Sequence, residues 1–80
     1  MKVNLKLARI GTNMEEATVV KWYKMPGDAF QAGDTLYEIE TEKVSQEIAA
    51  EGPGTLLEIR IPEGENAEVG EVLCVVETAT

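Results

Sequence analysis

The chain has 80 residues, 7 of them Lys or Arg and 15 Asp or Glu, giving a formal net charge of −8 with no histidine and one cysteine. A single domain of this size with no imidazole and only Cys74 has no Ser-His or Cys-His pair, no internal disulfide and no cysteine zinc cluster. The negative charge argues against nucleic acid and anionic membrane as partners, and the whole balance against a self-contained enzyme. Taken in chain order, Val3, Leu5 and Leu7 alternate with Lys2, Asn4 and Lys6, the period of a strand with one buried face. Thr18 to Tyr23 follows, rich in β-branched and aromatic residues, with Trp22 read in phase with Val20 as a core anchor. Thr35 to Thr41 and Val44 to Ala50 are two further strand-like runs, the second with Val44, Gln46, Ile48 and Ala50 on one face. In the next run Thr55, Leu57, Ile59 and Ile61 alternate with Leu56, Glu58 and Arg60, and Val72 to Glu77 closes the series around a buried, inert Cys74. Pro26-Gly27-Asp28, Gly33-Asp34, Gly52-Pro53-Gly54, Glu63-Gly64-Glu65 and Gly70 punctuate the runs. Short strands with regular turn signals predict an all-β sandwich or barrel.

The chain also repeats itself. When Gly27-Asp28 is set against Gly64-Glu65, Gly33-Asp34 meets Gly70-Glu71, Leu36 meets Leu73 and Glu40 meets Glu77. Two similar β halves, neither able to bury its apolar face alone, are expected to pack about a pseudo-twofold axis. Gly33 and Gly70 are expected to hold turns with unusual backbone angles. Under the same displacement Lys43 falls on Lys6, which lies inside a strand, whereas Lys43 lies at a break between two strands.

That break is Glu42-Lys43, the length of a tight β-hairpin loop. Neither residue is Gly or Asn, so a type I or widened turn is expected rather than a primed one. Lys2, Lys6, Lys21 and Lys24 read as outer-face strand residues; Lys43 alone projects from a tip. On spacing alone it could simply keep that tip soluble. An ammonium is a poor nucleophile, so a Schiff-base role is disfavoured, while acylation by a modifying enzyme stays open.

Glu40-Thr41-Glu42-Lys43-Val44 resembles the Glu-Thr-Asp-Lys-Ala signature of lipoyl domains from the acyltransferase component of 2-oxo acid dehydrogenase complexes. Met14-Glu15-Glu16-Ala17-Thr18-Val19-Val20-Lys21-Trp22 is similar to that family's Met-x-Glu-Gly-x-Ile-x-x-Trp segment, and Gly27-Asp28 with Gly33-Asp34-Thr35-Leu36 to its paired Gly-Asp pattern. Gly54-Thr55-Leu56 and Glu63-Gly64-Glu65 to Val69-Gly70 resemble its second half, so the likeness runs from about residue 3 to residue 77 of one domain, 1–80.

The resemblance implies a flattened barrel of two four-stranded antiparallel sheets, a barrel-sandwich hybrid. It implies a non-catalytic carrier, with lipoic acid in amide linkage to Lys43 and the flanks Glu42 and Val44 read by a lipoate ligase or lipoyl transferase. The partners implied are a thiamine-diphosphate-dependent decarboxylase, the acyltransferase core and a flavin dihydrolipoamide dehydrogenase, with the domain itself monomeric. The loop after the first strand, with Gly11, Thr12, Asn13, Met14 and Glu15, is implied as a decarboxylase contact, or is an ordinary surface loop. Glu42 and Val44 depart from the family's Asp and Ala, Ala17 stands where glycine is common, and Ala8-Arg9-Ile10-Gly11 departs from Met-Pro-x-Leu-Gly. A biotinyl carrier domain of a biotin-dependent carboxylase is the alternative, disfavoured because such domains flank their lysine with methionines. With no apolar run of about 18 residues and no signal-peptide pattern, a cytoplasmic protein is expected, or a mitochondrial matrix protein if eukaryotic.

Overall fold

The computed structural model describes residues 1–9 and 14–78. These form the strands β1 (Lys2–Lys6), β2 (Glu16–Trp22), β3 (Ala29–Phe30), β4 (Thr35–Glu40), β5 (Ser45–Ala49), β6 (Gly54–Ile59), β7 (Asn66–Glu68) and β8 (Val72–Thr78). One antiparallel sheet has the order β1-β8-β6-β3 and the other β5-β4-β2-β7. The two orders superpose by setting β1 on β5, β8 on β4, β6 on β2 and β3 on β7. This is the expected pseudo-twofold sandwich, elongated to 34 × 19 × 19 Å.

The repeat extends to the irregularities of the ladders. β2 breaks register between Val19 and Lys21, and β6 between Leu56 and Glu58, its counterpart position. On β4 the pairing with β5 steps over Leu36, and on β8 the pairing with β1 steps over its counterpart Leu73. A bulge inserts one residue and re-aims the side chains beyond it. This corrects the phase that strict alternation predicts. Val19 and Leu56 point into the core at 0% and 1% exposure, while Leu57 is left at the surface at 38%. Trp22 is buried in phase with Val19 through the bulge, not with Val20 by alternation. The same device lets adjacent residues, Leu36 with Tyr37 and Leu73 with Cys74, both face inward.

A second correction concerns Lys6. The counterpart of β1 is β5, so Leu7 corresponds to Ala50, and Lys6 to Ala49 rather than to Lys43. Backbone bonds confirm the match: the Gly70 amide donates to the Leu7 carbonyl and the Gly33 amide to the Ala50 carbonyl, both at 2.9 Å. The displacement that aligns β2 with β6 fails for β1 because the connections that precede β2 and β6 differ in length.

Four glycines, Gly27, Gly33, Gly64 and Gly70, hold φ between 89° and 97°, the left-handed region that side chains disfavour. The acidic residue after each glycine explains the Gly-Asp motif. Asp28 Oδ2 accepts the Met25 amide at 2.9 Å, Asp34 Oδ2 the Gln31 amide at 2.8 Å, and Glu71 Oε1 the Glu68 amide at 3.0 Å. The fourth turn begins at Pro62, which has no amide to satisfy, and there Glu65 donates its own amide to the Pro62 carbonyl at 3.1 Å.

Between the sheets lie Leu7, Val19, Trp22, Phe30, Leu36, Tyr37, Ile39, Leu56, Leu73, Cys74 and Val76, and among the described residues no charged or polar side chain is buried with them. Trp22 packs on Tyr37 with ring centroids 4.9 Å apart, and its indole N–H donates to the Ile61 carbonyl at 2.9 Å. Equivalent positions of the halves can differ in side-chain size. Phe30 faces Gly54 across β3 and β6, where Ala17 faces Ala67 across β2 and β7.

A Cβ built on Gly54 would lie 2.5 Å from the Glu77 carbonyl oxygen and 2.9 Å from the Phe30 ring. Gly54→Ala should therefore destabilise the fold by about 1–3 kcal/mol in chemical denaturation, the usual cost of overpacking a site that cannot yield. Burial pushes the Cys74 thiol from 9.0 up to about 12, and burial with the neighbouring Cys74 pushes the Tyr37 phenol from 10.0 up to about 12. Because the folded state keeps protons that the unfolded chain releases first, stability should be full below pH 9 and fall as pH rises towards 12. Thermal unfolding across that range should show the decline, and Cys74→Val should shrink it.

Candidate functional site: the Lys43 hairpin

β4 and β5 pair from Thr35 opposite Ala49 to Glu40 opposite Ser45, and the residues between Glu40 and Ser45 turn the chain. The Thr41 amide donates to the Val44 carbonyl at 2.7 Å, closing a loop with Glu42 and Lys43 at its apex. Among the described residues no non-glycine has positive φ, so the turn is unprimed, as its lack of Gly and Asn predicts. Thr41, which sequence reasoning passes over, holds the turn through its side chain as well. Its Oγ1 accepts the Lys43 amide at 3.3 Å and the Val44 amide at 3.2 Å. A threonine placed just before a two-residue loop is the available sign of such a turn.

Glu42, Lys43 and Val44 are all exposed. Val44 leaves 44% of its surface in water, so an apolar side chain stands beside the lysine without support from the core. Among the described residues the ion pairs join Met1 to Glu77, Lys24 to Asp34 and Arg60 to Glu58, and Lys43 enters none of them. The tip lies at one end of the β4–β5 pair, and Met1 and Thr78 lie towards the opposite end of the barrel. The short connection from β5 to β6 carries Ala49 to Gly54, which pairs with Thr78, and Thr78 in turn accepts the Met1 ammonium on its carbonyl at 3.1 Å.

The outer face of the β5-β4-β2-β7 sheet is acidic. Glu38 and Glu47 sit directly opposite each other, an unfavourable pairing of like charges. The Tyr23 hydroxyl lies 3.3 Å from one carboxylate and 3.2 Å from the other, and Lys21 Nζ stands 4.9 Å above the Tyr23 ring centroid. Partial desolvation, then the charges of Glu47 and Glu38, hold the Tyr23 phenol above its ordinary value. A concavity of about 800 Å³ opens between the edge strands β1 and β5 and is lined by Val3, Leu5, Ile39, Ile48 and Val76 among others, with Lys43 outside it. The lysine singled out for covalent chemistry is thus on the tip and outside this concavity.

Of the loop residues implicated by resemblance, Gly11, Thr12 and Asn13 lie outside the described residues. Met14 is packed into the core at 8% exposure, and Glu15 is exposed. The structure brings the Lys43 turn to the same end as Glu16 and Glu68, because Thr18 pairs with both Glu40 and Asn66.

The family model described as biotin-requiring enzyme, the biotin/lipoyl family, matches residues 3–76. This chain belongs to the biotin/lipoyl family. Among solved structures, this biotin/lipoyl domain is similar to the lipoyl domain of the 2-oxoglutarate dehydrogenase complex from Azotobacter vinelandii, with a TM-score of 0.79 and 32% identity over 92% of this chain and 94% of that one. It is 44% identical over 71 residues to the dihydrolipoyllysine-residue succinyltransferase component of the 2-oxoglutarate dehydrogenase complex of Rickettsia conorii, covering 89% of this chain and 18% of the relative. It is 40% identical over 80 residues to the dihydrolipoyllysine-residue acetyltransferase component of the pyruvate dehydrogenase complex of Zymomonas mobilis, covering 99% of this chain and again 18% of the relative. The domain thus spans less than a fifth of these relatives' length. A long-chain acyl-CoA carboxylase shares the fold, with a TM-score of 0.81 at 22% identity over 99% of this chain and 7% of that one.

The geometry orders the lysines by accessibility. Lys24 is held 3.8 Å from Asp34 with its side chain 27% exposed, whereas Lys43 stands free on the tip. Limited acetylation with an amine-reactive ester, followed by peptide mapping, should label Lys43 before Lys24; the reverse order would contradict the placement.

Proposed function

We propose that this domain is a lipoyl carrier, modified by amide formation between Lys43 Nζ and lipoic acid, and that it serves a 2-oxo acid dehydrogenase complex. The observation that carries the reading is the placement of Lys43. It caps a closed, unprimed turn, extends into solvent, and is flanked by Glu42 and Val44. A biotinyl site would show methionines at those flanks. The family covers both cofactors, and the names of the relatives at 44% and 40% identity speak for the lipoyl one.

The residues present fit such a group. In attachment the Lys43 amine would attack an activated carboxyl, form the C–N bond, lose a proton and expel the activating group. Once attached, the cofactor supplies reversible disulfide–dithiol chemistry. The chain's own residues contribute presentation. The β4–β5 ladder and the Thr41 bonds fix the base of the arm, and the exposed flanks leave the tip free to enter another protein's active site. The partners that follow are the decarboxylase, acyltransferase core and flavin dehydrogenase of such a complex, and a lipoate ligase or transferase, with Glu42 and Val44 as its contacts. Glu15, exposed after β1, remains the described candidate for the decarboxylase contact. Attachment would also remove one positive charge from a domain already at −8, beside Glu40 and Glu42.

Incubation with lipoate, ATP and a lipoate ligase, and separately with biotin, ATP and a biotin ligase, should yield a lipoyl adduct on Lys43 alone in intact-mass and peptide mapping. Lys43→Arg should abolish the adduct and leave the unfolding midpoint unchanged within error, as expected for an exposed surface position. A biotin adduct in its place, or no adduct on the folded domain, would overturn the reading.

A further inference from the structure

A hydroxyl can donate one hydrogen bond and accept two. Thr41 Oγ1 uses all three inside the Lys43 turn. It accepts the amides of Lys43 at 3.3 Å and Val44 at 3.2 Å, and it donates to the Val44 carbonyl at 3.3 Å, which also accepts the Thr41 amide at 2.7 Å. Among the described residues the hydrogen bonds of Lys43 and Val44 stay within the turn, and Glu42, Lys43 and Val44 are exposed. The turn is therefore held by the Thr41–Val44 backbone bond and by one side chain, that of Thr41.

The other end of the barrel shows the same chemistry closing a different gap. By the pseudo-twofold, Thr41 corresponds to Thr78 and Val44 to Met1. The Thr78 amide donates to the Met1 carbonyl at 2.9 Å, and Thr78 Oγ1 donates to it at 3.2 Å, as the Thr41 amide and Oγ1 do to the Val44 carbonyl. There the clasp joins the end of β8 to the residue before β1. At the hairpin it spans a turn, and the hydroxyl takes up the two amides of that turn, one of them belonging to Lys43 itself.

We propose that Thr41 is a positioning residue for the modification of Lys43, its hydroxyl ordering the turn so that the amine reaches the acylating enzyme already presented. The inference rests on the lipoyl-attachment reading. A turn ordered in advance spares the enzyme the loss of chain freedom on binding, so the effect falls on recognition of the domain more than on the chemical step. Glu42 and Val44 then act as the flanks that are read, and Thr41 as the residue that keeps them in register with the lysine.

The test compares wild type, Thr41→Val, which keeps the shape and loses the hydroxyl, and Thr41→Ser, which keeps the hydroxyl. Each unmodified domain is examined by amide hydrogen exchange at Lys43 and Val44 and by thermal unfolding, then lipoylated by a lipoate ligase at varied domain concentration. Thr41→Val should lose protection at both amides and raise KM for the domain roughly tenfold with kcat within roughly twofold, while Thr41→Ser stays within roughly twofold of wild type throughout. A wild-type KM in Thr41→Val, unchanged amide exchange, or a Thr41→Ser domain as impaired as Thr41→Val would overturn the role of Thr41 while leaving Lys43 as the attachment site. A wild-type domain that takes up no lipoyl group would instead overturn the attachment reading, and this inference with it.

Discussion

A small sheet with one apolar face is unstable in water, and the fold rests on how this chain covers that face twice. Val19, Leu36, Tyr37 and Ile39 line one sheet, and Leu56, Leu73, Cys74 and Val76 the other; each set is the other's cover. Because the two sets are near-copies, the same corrections recur on both sides. Each sheet places a bulge in its β2-type strand and another in its β4-type strand, so consecutive apolar residues can both turn inward without breaking the ladder elsewhere. The pairing of Phe30 with Gly54 against Ala17 with Ala67 shows that the symmetry is one of backbone path, with the side chains at equivalent positions free to differ in size.

That dry interior has a consequence for function. No charged or polar side chain is buried among the described residues, and the two ionisable groups within the core, Cys74 and Tyr37, are held in their neutral forms by burial. The interior therefore offers neither a base nor a thiolate at neutral pH. Reactive capacity is confined to the surface, where Lys21 is drawn over Tyr23, Lys24 towards Asp34 and Arg60 towards Glu58. Lys43 differs from these by position and not by type. It has the same amine, at the end of a ladder, with the strand pair behind it fixed and nothing described in front of it.

Alternation, as in Val3 with Leu5, together with β-branched and aromatic content, as in Thr18 to Tyr23, made six strands legible without tertiary knowledge. β3 and β7 were not legible. Two and three residues are too few to show a period, and Phe30 and Ala67 are recognisable as core only once their partners Gly54 and Ala17 are placed. That Leu56 and not Leu57 faces inward was not legible for a related reason, because a bulge is decided by the partner strand and two adjacent leucines carry no sign of it. Equating Lys6 with Lys43 failed because a single displacement cannot follow loops of unequal length. The exposed hairpin tip could be read from two residues between strand-like runs. The proposal that its lysine is a point of attachment and not merely a solubilising charge rests on resemblance, since spacing alone serves both uses equally.

The two ends of the barrel separate what the fold requires from what has been added to it. Pseudo-symmetry demands that the strand pairs β4–β5 and β8–β1 each be closed at their ends, and a threonine clasp does so in both places. At the terminal end the clasp ties Thr78 to Met1, whose ammonium also pairs with Glu77 at 2.7 Å; that ammonium holds the Glu77 carboxyl below its ordinary value. At the hairpin end the strands are already joined covalently, so closure alone does not require the further amide contacts made by Thr41 Oγ1. Those contacts order Glu42, Lys43 and Val44, which contribute nothing to the core. Order imposed on residues that stability does not need is the physical mark of a segment shaped for recognition. In this domain it falls on Lys43, exposed at the hairpin tip and in none of the ion pairs among the described residues.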